Sequence, residues 1–191
     1  MTCIIGLVEN GEVYLGADSA AVSGSEIRTS IIKKVFRRGE FLFAYTSSFR
    51  MGQLLQHQLV LDELPMNYLV TMDYMVNQFI ENVRDLFKSK GYSKIENNEE
   101  YAGNFLIGVH GRLFHIWSDF QVSEFLDYTA DGSGKQFALG AMEALKTVIK
   151  TPEERIIEAI KIAEKFTTTV SLPAIVVSSE NLVISDLIRR P

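Results

Sequence analysis

The sequence predicts an α+β domain, a four-layer αββα sandwich in which two antiparallel sheets lie face to face between two pairs of helices. Two observations predict it. Strand-like and helix-like segments come in blocks: four strands, two helices, several strands, two helices and a last hairpin. The helical blocks are apolar on one stripe, so each pair needs one sheet face to cover it. The 191 residues are 47% apolar and 23% charged, which suits one domain spanning 1–191. No linker, internal repeat or low-complexity tract divides them.

The chain opens with a hairpin. Cys3–Val8 and Val13–Ala17 are apolar and rich in β-branched residues, and Asn10-Gly11 between them is the favoured type I′ turn pair. Lys34–Arg38 and Glu40–Thr46 form the next strands, joined tightly at Gly39. Helices are expected over about Ser48–Leu61 and Tyr68–Lys88. In the second, Met75, Phe79, Val83 and Phe87 recur every four residues, flanked by Ile80 and Leu86. Ser89–Tyr101 is polar and glycine-punctuated and reads as a surface loop. Gly103–Val109, Leu113–Trp117 and a short segment near Val122–Leu126 are strands, the first two joined by His110-Gly111-Arg112. After Asp131-Gly132-Ser133-Gly134 comes a helix with an apolar face of Phe137, Ala141, Leu145 and Val148. Thr151-Pro152-Glu153-Glu154 then gives an N-cap, a proline at the first helical position and a capping-box glutamate. Ile156, Ile160 and Ala163 continue that helix's buried stripe. Ala174–Val177 and Leu182–Ile184 close the chain as a hairpin.

Composition excludes several functional classes. A net charge of −5 gives no electrostatic reason to expect nucleic acid or a membrane surface as partner. The single cysteine, Cys3, excludes an intrachain disulfide and a multi-cysteine metal site. His57, His110 and His115 are too scattered to suggest a metal site. The first apolar run is short and broken by Glu9-Asn10-Gly11, so no signal peptide is expected, and no apolar stretch approaches the ~20 residues of a membrane span. A cytoplasmic location is expected.

The residue that points to chemistry is Thr2, directly behind the initiator methionine. Removal of Met1 would leave a hydroxyl nucleophile and a free α-amine on one residue, and an amine titrating at about 7.7–8.0 can serve as its base near neutral pH. With Asn10-Gly11 as turn residues, hairpin partners sum to 21 (10 + 11), so Cys3 faces Asp18 and Thr2 faces Ser19. Asp18 therefore arrives beside the chain terminus, as a strand-end cap or as an orienting carboxylate. Lys33 and Lys34 point to opposite faces of a strand, so one can be solvated while the other turns inward, which requires an anion. Asp18 is the natural one, although both lysines can instead snorkel at the strand edge. The Asp131–Gly134 turn places backbone amides and the Ser133 hydroxyl at a helix start, as an ordinary cap or a polar corner of a site.

Taken in order, Thr2–Asp18 with its Asn-Gly turn, Lys33-Lys34-Val35, and Gly132-Ser133-Gly134 before an alanine-rich helix resemble the N-terminal-nucleophile (Ntn) hydrolases. The likeness is to the proteasome β-subunits and HslV-type peptidases among them, over nearly the whole chain. The resemblance implies that Thr2 Oγ attacks the scissile carbonyl and its own α-amine takes the proton. Lys34 lowers the hydroxyl's pKa electrostatically, Asp18 holds Lys34, and Ser133 hydrogen-bonds the amine. The oxyanion-hole amide falls at Ala44, where the family usually has glycine. The family's supporting aspartate after the last helix is absent from Glu164-Lys165-Phe166-Thr167. Val22, Ile32, Leu42 and Thr46 are expected to line an apolar pocket. No cofactor is required; main-chain carbonyls near Glu164, Thr167 and Val170 are candidates for a monovalent cation such as Na+. The resemblance also implies a homo-oligomeric ring, a ring ATPase that unfolds substrates, and peptide or unfolded protein as substrate. Two other readings stay open: an Ntn amidase or acylase acting on a small amide, and a non-catalytic structural subunit that keeps Met1.

Overall fold

A computed structural model of the chain describes residues 2–23, 26–29, 32–65, 68–179 and 182–184. Among them are two five-stranded antiparallel sheets. β1 (Cys3–Glu9) and β2 (Glu12–Ala17) form the opening hairpin, with Asn10 and Gly11 at φ 52° and 78°, the left-handed pair a type I′ turn requires. Its register pairs Ile4 with Ala17 and Val8 with Val13, the sum of 21 that the turn dictates. β12 (Tyr128–Gly132) adds to the outer edge of β1, while β13 (Ile175–Ser178) and β14 (Leu182–Ile184) add beyond β2. The second sheet runs β11 (Val122–Phe125), β10 (Arg112–Ile116), β9 (Phe105–Val109), β6 (Phe41–Tyr45), β5 (Val35–Arg38).

Three apolar layers hold the sandwich. Ile4, Leu15, Val35, Leu42, Ala44, Leu106 and Leu113 fill the space between the sheets. On the outer face of the second sheet, Phe41, Phe43 and Tyr45 alternate with Leu42 and Ala44 and pack under helices α1 (Phe49–His57), α2 (Met72–Tyr74) and α3 (Ile80–Ser89). A π-helical turn, Met75–Phe79, joins α2 to α3. The predicted stripe of Met75, Phe79, Ile80, Val83, Leu86 and Phe87 is buried there, with Phe79 stacked on Phe41 at 5.6 Å. On the first sheet, Ile5, Leu7 and Val176 meet α4 (Lys135–Leu145) and α5 (Pro152–Phe166). Thr151 caps α5, and the reciprocal capping box with Glu154 is formed.

Several expectations need correction. α1 is shorter than Ser48–Leu61, with Ser48 as its N-cap. The stretch read as a loop, Ser89–Tyr101, holds a two-stranded hairpin, β7 (Lys94–Glu96) and β8 (Glu99–Tyr101), turning at Asn97 and Asn98. A further hairpin, β3 (Ala20–Ser23) with β4 (Glu26–Thr29), follows Asp18. The buried face of α4 is Ala138, Ala141 and Met142, one residue round from the face expected. Phe137 and Val148 are exposed, and Phe137 stacks on Phe166 at 5.3 Å. The cause is close approach: Gly134 at the start of α4 abuts Cys3, Ala163 and Val170, leaving room only for small side chains against the sheet.

Candidate active site

The site lies at the end of the sandwich where β1 begins. Thr2 precedes β1, Asp18 follows β2, and the hairpin register brings them together: the Asp18 amide donates to the Cys3 carbonyl at 3.1 Å. Lys34 comes from the other sheet, just ahead of β5. Lys33 is exposed and Lys34 is buried, so of the two adjacent lysines it is Lys34 that turns inward. The Lys34 Nζ donates to Asp18 Oδ1 at 2.8 Å and to Thr2 Oγ1, and the Thr2 hydroxyl donates to Asp18 Oδ1. All three side chains are buried.

Asp18 is the hub. Besides Thr2 and Lys34, its carboxylate accepts the amides of Cys3 (3.0 Å), Ala20 (2.9 Å) and Ser171 (3.3 Å). A buried carboxylate is stable only when paired and hydrogen-bonded, and this one is both. Burial pushes the Lys34 ammonium below its ordinary pKa of 10.5, and the Asp18 carboxylate opposes that shift. Cys3, one residue along, turns to the other face of β1; burial first, then the charge of Asp18, pushes its thiol up to about 12. It is a core residue and no nucleophile at neutral pH.

Ser133 sits on the turn between β12 and α4. Its hydroxyl accepts from the Thr2 nitrogen at 3.2 Å and lies 2.6 Å from the Thr169 hydroxyl. Thr169, which follows α5, is the side chain that meets the Ser133 hydroxyl here. Thr169 is not among the residues the sequence singles out; its one sequence signal is the run Thr167-Thr168-Thr169. Met1 lies outside the described residues.

Thr2 and Lys34 open onto a cavity of about 80 Å³, lined further by Ala20, Val22, Tyr45, Thr46, Ser47, Ser48 and Phe49. Val22 and Thr46 are among these lining residues. Leu42 is not: its side chain is buried between the sheets, and four residues of strand, about 13 Å, separate it from Thr46. Ile32 is 38% exposed and is not part of the lining.

Ala44 also needs correction. The Thr46 amide donates to the Asn104 carbonyl at 3.1 Å, and hydrogen-bonded pairs alternate along an antiparallel ladder. The Ala44 amide is therefore spent on its partner Leu106, and its methyl faces the inter-sheet core. The Ser48 amide is spent on the Thr46 carbonyl at 2.8 Å. That leaves Ser47 on the cavity wall, at φ 67°, whose amide has no acceptor among the described residues. An amide in that position can receive a developing alkoxide.

Comparison with known proteins fits this geometry. A family model described as "Proteasome subunit" matches residues 1–182. The chain belongs to the proteasome subunit family. Among solved structures, this proteasome-family subunit is similar to Thiobacillus denitrificans BPH in complex with epoxomicin, at TM-score 0.77 and 22% identity over 92% of this chain and 97% of that one. It is also similar to Anbu, an ancestral β-subunit, from Yersinia bercovieri (TM-score 0.66, 16% identity, 95% and 86% covered). The eukaryotic HslV from Trypanosoma brucei follows (TM-score 0.64, 16% identity, 92% and 98% covered). At these identities the structures establish the shared Ntn-hydrolase fold alone. No match was found among curated proteins. No helix among the described residues of this subunit is long and apolar enough to cross a membrane.

Proposed function

We propose that the chain is a threonine peptidase of the N-terminal-nucleophile type, active once the Met1–Thr2 bond is cut. The observation that carries this reading is the buried Thr2–Lys34–Asp18 triangle, with the Thr2 nitrogen resting on Ser133. Cleavage turns that nitrogen into an α-amine. Thr2 Oγ1 then adds to the scissile carbonyl while its proton passes to the amine, and the Ser47 amide takes the alkoxide. Collapse breaks the C–N bond, and the ammonium returns the proton to the leaving amine. Water, deprotonated by the same amine, hydrolyses the Thr2 ester. Lys34 keeps positive charge against the attacking oxygen throughout.

The cavity supports a substrate class. Ala20, Val22 and Phe49 make apolar walls, and about 80 Å³ suits a short apolar side chain such as alanine or valine before the cleaved bond. Family membership supports a self-assembled ring in the cytoplasm, its sites facing a chamber fed with unfolded protein by a ring ATPase, with neither nucleic acid nor membrane as partner. A monovalent cation would be held only by main-chain carbonyls at Glu164, Thr167 and Val170. The Glu164 carboxylate accepts the Leu172 amide at 3.1 Å, and the Thr167 hydroxyl donates to Ala163 at 2.9 Å. Carbonyls ending a helix present the negative end of its dipole, which suits such an ion.

Intact mass of the natively produced protein, before and after treatment with epoxomicin, tests the reading. Met1 is expected to be absent, and one adduct per chain is expected, lost in Thr2→Ala. Retained Met1, or labelling of Thr2→Ala, sinks it. A pH–rate profile of peptide cleavage gives a second test. Activity should rise through about pH 7.7–8.0 as the α-amine loses its proton. It should fall again below pH 10.5, because burial lowers the Lys34 pKa from that value. A rate still climbing at pH 10.5 would remove the Lys34 charge from the mechanism.

A further inference from the structure

The nucleophile and the oxyanion donor stand on different sheets. Thr2 leads into β1, and Ser47 follows β6, so the gap between them depends on how the two sheets sit at this end. Between the sheets lie apolar side chains, whose attraction has no direction and sets no register by itself. Polar ties across the gap supply one. The Lys34–Asp18 pair is the first.

A second tie uses no residue of the site. Asn104, which leads into β9, donates from Nδ2 to Asp131 Oδ2 on β12 at 2.8 Å. His115 of β10, fully buried and stacked on Trp117 at 3.8 Å, brings Nε2 to 3.6 Å from the same carboxylate. Lys135 Nζ lies 3.7 Å from Oδ1. Burial alone would raise the Asp131 pKa, but His115, the Gly132 amide and Asn104 outweigh it and hold the carboxyl at about 2. The Asp131 end of the tie is therefore an ionised carboxylate at neutral pH.

Each end runs on into the site. The Asn104 carbonyl accepts both the amide (3.1 Å) and the hydroxyl (3.2 Å) of Thr46, the residue before Ser47. Asp131 lies two residues before Ser133, which holds the Thr2 nitrogen. We infer that Asn104 and Asp131 are positioning residues, a cross-sheet clasp that sets the Ser47 amide at its working distance from Thr2. The clasp rests on the threonine-peptidase reading. It acts on the reacting geometry, so its loss should appear in kcat and not in ground-state binding.

The test is Asn104→Ala in the full chain. Active sites are counted as epoxomicin adducts by intact mass, and kcat is measured per counted site on a fluorogenic tripeptide amide ending in alanine or valine. A misplacement approaching 1 Å can cost up to about a hundredfold, so a fall in kcat of roughly tenfold or more is expected, with KM within about twofold. A clasp that only stabilises the fold lowers Tm and the number of labelled sites and leaves kcat per site at the wild-type value; that result overturns the inference. Should Asn104→Ala fail to fold, near-isosteric Asp131→Asn carries the test, since it removes the charge that strengthens the hydrogen bond. A fall of about threefold or more per site supports the clasp, and a rate within about 1.5-fold of wild type overturns it. Wild-type protein that forms no adduct overturns the peptidase reading and this inference together. Labelled wild type with indifferent variants overturns this inference alone.

Discussion

Lys34→Ala should abolish peptide turnover, lowering kcat by roughly a thousandfold or more while the sandwich stays folded. The expected loss follows from position. Among the described residues Lys34 Nζ is the one cation touching both the Thr2 hydroxyl and Asp18, and it is buried, so water screens it little. Positioned groups that govern proton transfer at a reacting centre contribute about 10²–10⁴-fold. Stability should fall as well, by about 3 kcal/mol, because one member of a buried ion pair is left behind. The fold survives because Asp18 keeps the Thr2 hydroxyl and the amides of Cys3, Ala20 and Ser171. Lys33→Ala is the control: its side chain is exposed, and its turnover should match wild type. Kinetics on both variants, with circular dichroism to establish folding, decide the matter. A folded Lys34→Ala protein cleaving at the wild-type rate would remove Lys34 from the chemistry.

The parts of the site that were legible in the sequence are those tied to local geometry. Asn10-Gly11 dictates a two-residue turn, the turn dictates register, and register delivers Asp18 to Thr2. The two adjacent lysines offer one inward and one outward side chain, and the carboxylate of Asp18 selects Lys34 as the buried one. What stayed hidden depends on contacts distant in the chain or on backbone conformation. The resemblance puts the oxyanion amide at Ala44, whereas the amide proposed for it belongs to Ser47, a serine at φ 67° in a region that favours glycine and that no sequence pattern announces. Thr169 reaches Ser133 only because α5 ends against the start of α4. β12 escaped notice because Asp131 breaks its apolar pattern, and a carboxylate in a buried strand makes sense only once Asn104 and His115 stand opposite it. The face of α4 lies one residue round from the one its sequence suggests for a reason of space: Phe137 looks like core, but Gly134 admits no bulk beneath it.

That lack of space predicts a large effect from a single methyl. In Gly134→Ala the new Cβ would stand 2.9 Å from Cys3 Cβ, 3.0 Å from Val170 Cγ2 and 3.1 Å from Ala163 Cβ, on three different segments. Two of these are the first side-chain atoms off the backbone, so relief requires β1, α5 or α4 to shift. Overpacking of this kind costs about 2–3 kcal/mol, or roughly 4–12 °C in Tm for a chain of this length. The site should suffer with it. The Gly134 amide donates to the Thr2 carbonyl at 3.2 Å, and the adjoining Ser133 hydroxyl accepts the Thr2 nitrogen, so any displacement of α4 moves the nucleophile away from Lys34. Gly140, on the exposed side of the same helix, has nothing within 4 Å of its would-be Cβ. Gly140→Ala should instead stabilise by about 0.5–1 kcal/mol through helix propensity and leave cleavage unchanged. Thermal unfolding of the two variants side by side separates a packing constraint from a general intolerance of α4 to substitution. If both melt alike, Gly134 is not a point of close approach, and the shifted face of α4 needs another cause.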